Sequence, residues 1–230
     1  MPDCQCDGLS RTFDPKVAEQ DLRDYLHDGP DPSTALLIEA LRRRGVEGRT
    51  LLDIGGGIGA IQLELLQSGL AFATDVDVSG SFIEVARGEA ARRGFGPRTA
   101  YRQGDFVSVA ADVRPVDLVT LDRVICCYPD LDSLAGMAAD RARDRLALVH
   151  PRDHWWLRAG AGVFNTIRRP VGRIRFFVHR TTRLEAILHS AGLEREWAGG
   201  TWFWRVAVYR RVSDVANVVI RTEGPEEWTS

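Results

Sequence analysis

Lysine is almost missing from this chain. Lys16 is the single one in 230 residues, and arginine carries the remaining positive charge. We read that imbalance first as the codon bias of a GC-rich genome and only second as a binding feature. Long apolar runs are missing too: none approaches the roughly 18 residues that a membrane span requires. The first ten residues, MPDCQCDGLS, are polar and acidic, so we expect no secretory leader. Cysteine is scarce and badly placed for a disulfide framework. Cys4 and Cys6 stand in a polar terminus, and Cys126 and Cys127 are neighbours at an apolar strand end. A reducing, cytoplasmic setting follows as the expectation. A large net charge is also lacking. The formal value is −2, which gives no global attraction to nucleic acid or to an anionic membrane.

What is present is an ordinary globular composition, 44% apolar and 27% charged, in a length that suits one main domain. Charge is uneven along it: residues 1–40 are acidic and residues 152–183 are rich in arginine. A short helix is expected near Lys16–Leu26, inside an N-terminal arm spanning 1–32. DPSTALLIEALRRRG reads as a helix capped by Ser33 or Thr34 and stopped at Gly45. Strands follow at RTLLDIG, LAFATDVD, TAYRQGD, VDLVTLDRV and RLALVH. Helices are expected at AIQLELLQSG and at SGSFIEVARGEAARRG, the latter capped by Ser79 and stopped by Gly94. After a helix at TRLEAILHSAGL, the runs EREWAGG and TWFWRVAVYRR read as a hairpin turning at Gly-Gly.

Apolar strands alternating with helices imply a parallel sheet covered on both faces. The fold expected is α/β and Rossmann-like: seven strands, mostly parallel, helices on both faces, and a C-terminal antiparallel hairpin. The main domain would span 33–212, and 213–230 would be a tail.

LLDIGGGIGA, residues 51–60, turns the first strand into its helix, where open α/β sheets bind ligands. Two readings compete. Gly55, Gly57 and Ala60 satisfy the G-x-G-x-x-A dinucleotide fingerprint. Asp53, Gly55, Gly57 and Gly59 also satisfy D-x-G-x-G-x-G, and only this second pattern accounts for the strand acid.

The second pattern resembles the first motif of class I S-adenosylmethionine-dependent methyltransferases, and the resemblance continues along residues 33–210. ATDVDVS looks like their second motif, QGDF like the turn after strand three, and VDLVTLDRVICCYPD like the fourth. The resemblance implies S-adenosylmethionine as cofactor. Asp53 and the loop around Gly55, Gly56, Gly57 and Gly59 would hold the methionine end, with the glycine amides facing its carboxylate. Asp77, followed by Val78, would bind the ribose hydroxyls, with Asp75 as runner-up. Asp105 would accept from the adenine amino group and Phe106 would pack on the ring. LDRVICCYPDLDSLAG with LALVHPRDHWW resembles the magnesium-protoporphyrin O-methyltransferase branch. That branch has His before Tyr-Pro, whereas Cys127 stands there here.

Methyl transfer asks mainly for positioning and water exclusion. Candidates for a catalytic role at the strand ends are Asp122, Tyr128 and His150; their bland readings are a tie to the arm, a pocket wall and a bonded strand-end residue. Tyr25 and His27 in the arm, with Cys127, His154 and Trp155, are candidate substrate contacts. The segment 152–180 reads as a crossover helix or as a substrate lid, with peripheral membrane contact the least favoured option. No metal site is expected. The partner expected is a small-molecule acceptor, not nucleic acid, since the strand-four motif is CCYP and lacks an amide-bearing residue. Oligomeric state stays open. The alternatives are a non-catalytic S-adenosylmethionine-binding protein and a nucleic-acid methyltransferase.

Overall fold

The computed structural model describes residues 14–155, 157 and 175–212. Its order is α1 (Pro15–Asp28), α2 (Pro32–Arg42), β1 (Thr50–Ile54), α3 (Ala60–Gln67), β2 (Phe72–Asp77), α4 (Gly80–Arg92) and β3 (Thr99–Gln103). Then come β4 (Val116–Asp122), α5 (Leu131–Arg141), β5 (Ala142–Pro151), α6 (Thr181–Ser190), β6 (Leu193–Gly200) and β7 (Trp204–Arg211). The strands form one seven-stranded sheet in the order β3-β2-β1-β4-β5-β7-β6. Neighbours from β3 to β5 pair parallel. β7 runs antiparallel between β5 and β6. The expected architecture is the observed one.

Apolar runs in the strands are explained by burial on both faces. Leu51 and Leu52 are successive and both fully buried. Leu51 packs with Leu37, Leu65 and Val206, whereas Leu52 packs with Leu134, Leu146 and Leu188 on the other face. Each such side chain stabilises the fold by about 1.5–3 kcal/mol. Sequence order reverses between β1 and β4, so the loops leaving these two strands diverge and open a crevice at their carboxyl ends.

The arm is held against this body. Asp14 caps α1 by accepting from Lys16 N and Val17 N at 2.8 and 3.1 Å. Tyr25 is buried and donates its hydroxyl to Glu64 at 2.8 Å, with the Arg93 guanidinium over its ring.

Three local expectations need correction. α2 starts at Pro32, two or three residues earlier than a Ser33 or Thr34 cap would allow; both residues are buried inside it. Proline at the first helical position suits a helix start, since its missing N–H is not needed there. α5 was not expected, although Asp130 caps it by accepting from Ser133 N at 3.1 Å. The hairpin turns at Thr201–Phe203, closed by Thr201 N donating to Trp204 O at 2.8 Å, and the two glycines end β6 instead. Most of the proposed lid, Cys4, Cys6 and the tail lie outside the described residues.

Candidate active site

β1 delivers the chain into a loop that only glycine can follow. Gly55 and Gly57 have φ of +66° and +57°, and a Cβ on Gly55 would lie 2.6 Å from Val124 Cγ2. The loop therefore sits directly against the residues that leave β4. Gly59 has another duty. It caps α3, a Cβ on it would lie 3.3 Å from Ala86 Cβ on α4, and it does not line the cavity.

The loop amides are already occupied. Gly55 N donates to Val76 O at 2.8 Å, Gly56 N to Asp75 Oδ1 at 3.2 Å and Gly57 N to Asp77 Oδ2 at 3.1 Å. Gly59 N turns back to Gly56 O at 2.9 Å. These donors are satisfied by β2 and by the loop itself, so they do not wait for a ligand carboxylate as the sequence led us to expect.

Beneath the loop lie Asp53, Asp75 and Asp77. Asp53 is fully buried, accepting from Thr120 Oγ1 at 2.7 Å and from Gln62 Nε2 at 3.3 Å. Burial pushes its carboxyl up to about 7. Burial also raises Asp75 well above the carboxylate range, helped by the neighbouring Asp53 and Asp77. Asp75 is fully buried and does not reach the cavity. Asp77 does reach it, with Oδ1 accepting from Ser79 N at 2.8 Å.

The sign of the resulting pH dependence follows from linkage. The folded value of Asp53 lies above the unfolded value of about 3.9. Its contribution to stability is present below that value and is lost as pH rises towards about 7. His150 works in the opposite sense, since burial lowers it to about 4 and its contribution is lost as pH falls from about 6.5 towards 4. Asp53→Asn isolates the first effect. Thermal melts should show the variant gaining on the parent protein at pH 8 and not at pH 5. An equal difference at both values would mean that Asp53 does not titrate in this range.

The cavity above these residues measures about 630 Å³, within the range of small-molecule sites. Loop residues Gly55–Gly57 and Asp77 with Val78 form one wall. Asp105 and Phe106 form the floor beyond β3, and Phe82 adds a ring from α4. Asp105 caps the helical turn 106–109 through Val107 N at 3.3 Å, and it accepts from Tyr128 Oη at 3.2 Å. Asp122, Cys126 and Cys127 come from the end of β4, and Asp21, Asp24, Asp28 and Asp31 come from the arm. Asp122 accepts from Thr34 Oγ1 at 2.5 Å, which ties the end of β4 to the start of α2.

Several sequence candidates lie elsewhere. His27 is exposed, paired with Asp28 and outside the cavity. His154 and Trp155 are exposed and do not line it. His150 is buried under the end of β5, and its Nδ1 sits 2.9 Å from Pro151 O. It is absent from the lining because its side chain faces the layer of α5 and α6, as Leu146 and Leu148 do. Tyr128 is likewise absent from the lining; its hydroxyl supports Asp105 instead. Tyr25 lines the cavity but spends its hydroxyl on Glu64.

The sequence reading missed Arg123, Thr34, Phe82, Phe176 and Trp204, all of which line the cavity. Phe82 sits one helical turn past the Ser79 cap and could have been found from that spacing. Arg123 gave no signal, since nothing in LDRV announces a left-handed backbone.

The family described as methyltransferase domain matches residues 52–141. Ribosomal protein L11 methyltransferase of Edwardsiella ictaluri is 30% identical over 146 residues, 55% of this chain and 50% of that protein. Release factor glutamine methyltransferase of Moorella thermoacetica is 33% identical over 127 residues, 52% of this chain and 42% of that protein. The chain thus spans half or less of the length of these relatives. Among solved structures, magnesium protoporphyrin IX methyltransferase of Synechocystis PCC 6803 with bound SAH superposes with a TM-score of 0.70. It is 17% identical, and the match covers 90% of this chain and all of that one. Geranyl diphosphate methyltransferase in complex with GPP and sinefungin gives 0.61 at 14% identity, covering 78% and 76%. Residues 52–141 thus match a methyltransferase domain, and the chain shares the fold of the magnesium protoporphyrin IX methyltransferase.

Proposed function

We propose that this chain transfers a methyl group from S-adenosylmethionine to an oxygen of a small molecule, a hydroxyl before a carboxylate. The observation that carries this reading is the cavity of about 630 Å³ bounded by the glycine loop, Asp77, Asp105, the end of β4 and the arm. The bound cofactor supplies an electrophilic methyl carbon on a sulfonium sulfur. The residues present fit it: Asp77 would hold the ribose hydroxyls and Asp105 the adenine amino group, and Val78, Phe82 and Phe106 offer apolar walls. A Cβ on Gly57 would meet Phe82 at 3.6 Å, so the loop is flat where an adenosine has to pass. Asp122 is held by Thr34 and Arg123, and its part is to fix the end of β4 rather than to take a proton.

The acceptor side is set by the arm and by Cys127. Four of the arm's aspartates line the cavity, and they repel an anionic acceptor more than a neutral one. That favours a hydroxyl over the carboxylate that the resembling branch esterifies. The arm also borders the cavity, which supports a small acceptor over a protein, although the relatives named above carry protein substrates in their names.

The test is methyl transfer from isotope-labelled S-adenosylmethionine, read by mass spectrometry, with a small-molecule extract, a protein fraction and magnesium-protoporphyrin offered separately. A methyl ether from the extract is the expected result. Label in the protein fraction alone would replace the small molecule by a protein acceptor. A porphyrin methyl ester would overturn the preference for a hydroxyl.

A further inference from the structure

Eight aspartates line the cavity, at positions 21, 24, 28, 31, 53, 77, 105 and 122, and Arg123 is the single arginine or lysine among the described lining residues. Its backbone is unusual. Among the described residues Arg123 is the one non-glycine with positive φ, at 59°. A left-handed non-glycine residue is strained and persists only where its surroundings impose it. Here the main chain is pinned: Arg123 N donates to Val149 O at 3.0 Å, and Arg123 O receives the Cys126 thiol at 3.0 Å. The next residue, Val124, abuts Gly55. The strained turn therefore presents the Arg123 side chain beside the glycine loop.

The guanidinium is only partly used. Nη1 donates to Asp31 Oδ2 at 2.5 Å, and Nε lies 3.3 Å from Asp122 Oδ1. Nη2 makes no hydrogen bond among the described residues, and the side chain is 40% exposed. Two carboxylates thus aim the fork and leave an N–H pair to spare.

A ligand carboxylate in this cavity meets carboxylates on most sides, the exposed ones of the arm above all. The amides of Gly55, Gly56, Gly57 and Gly59 are spent on Val76, Asp75, Asp77 and Gly56. We propose that Arg123 is the partner of the carboxylate at the methionine end of the cofactor, a binding role that rests on the methyltransferase reading above. Asp31 and Asp122 are then positioning residues that hold the guanidinium in place. The arm is coupled to cofactor binding through Asp31, since the cation that reads the ligand also holds the arm.

The competing explanation is that Arg123 only fastens the arm. Calorimetric titration with two ligands separates the two. S-adenosylhomocysteine carries the amino-acid carboxylate, and 5′-methylthioadenosine lacks it while keeping ribose and adenine. Arg123→Met should weaken S-adenosylhomocysteine by about 10- to 100-fold, the span of a lost charge-assisted pair, and leave methylthioadenosine within about twofold. Arg123→Asn provides a second variant, because asparagine tolerates left-handed backbone and keeps the turn. Asp31→Asn, which keeps the arginine but loosens its aim, should weaken S-adenosylhomocysteine by less than Arg123→Met does and leave methylthioadenosine within about twofold.

Equal weakening of both ligands by either arginine variant would assign Arg123 to the arm alone and overturn the proposal. Unchanged binding of both would overturn it as well. If the unaltered protein binds neither ligand, the cofactor reading itself falls and this inference with it.

Discussion

Asp77→Ala is expected to weaken S-adenosylhomocysteine binding by about two orders of magnitude while the protein still folds. Hydrogen bonds to a charged group contribute about 1.5–3 kcal/mol each. Two ribose hydroxyls on one carboxylate therefore account for at least about 3 kcal/mol, or about 100-fold. Stability should change less, because two effects oppose each other. The variant leaves Gly57 N and Ser79 N without their acceptor. It also removes a carboxylate whose burial already disfavours its charged form. Calorimetry and a thermal melt on the same sample check both halves. Unchanged affinity would mean that the ribose lies elsewhere. Asp75 would not be the replacement, since it is fully buried beneath the loop and does not line the cavity.

Gly56→Ala should be more damaging than Gly57→Ala, although Gly57 is the one with the left-handed backbone. The new Cβ would lie 2.5 Å from Gln62 Nε2, 2.7 Å from Asp75 Oδ1 and 2.9 Å from Asp53 Oδ2. None of the three can yield cheaply. Gln62, Asp75 and Asp53 are at most 1% exposed, and Gln62 is bonded to Asp53. Overpacking costs about 1–3 kcal/mol, and a broken buried hydrogen bond adds about 1–3 kcal/mol. For a chain of this size that amounts to a fall in melting temperature of about 4–24 °C. Gly57→Ala is the control. There the added carbon meets only Phe82 at 3.6 Å, and φ of +57° sets the cost, about 1–2 kcal/mol. A melt in which Gly57→Ala falls further than Gly56→Ala would contradict the packing described beneath the loop.

The contrast between these two glycines also marks what a sequence can convey. DIGGGIGA announces a tight turn and its place after a strand, because backbone freedom is a local property. It cannot say that Gly56 is needed for room, Gly57 for its angle and Gly59 for the approach of α3 to α4. The room at Gly56 is limited by Gln62, Asp53 and Asp75, and the space at Gly59 by Ala86, none of which the glycine run itself announces. The fold was legible for a related reason. Leu51-Leu52 and similar runs reveal two-sided burial, and two-sided burial demands a parallel sheet with helices on both faces.

The polar site was legible only in part. Asp77 and Asp105 stand at strand ends in a sequential pattern, and the structure places both at the cavity. His150 also stands at a strand end, but alternation along β5 turns its side chain into the α5–α6 layer. Tyr128 and Tyr25 carry hydroxyls that look available in sequence, yet each is engaged by a carboxylate distant in sequence, Asp105 and Glu64 respectively. Arg123 was invisible because its importance lies in a backbone angle and in two aspartates, one adjacent and one 92 residues away. Thr34 is a parallel case. In sequence it looks like a helix cap, and in the fold it anchors Asp122.

The measurement that tests the central claim most directly is a side-by-side calorimetric titration of the unaltered protein with S-adenosylhomocysteine and with NADH. Both ligands contain ribose and adenine, and both suit a glycine loop after the first strand of such a sheet. The cavity offers carboxylates at its walls, and the Gly56 and Gly57 amides are already satisfied by Asp75 and Asp77, an acidic surround that disfavours a pyrophosphate. The account predicts one-to-one binding of S-adenosylhomocysteine and no detectable heat with NADH. Tight binding of NADH without S-adenosylhomocysteine would contradict it.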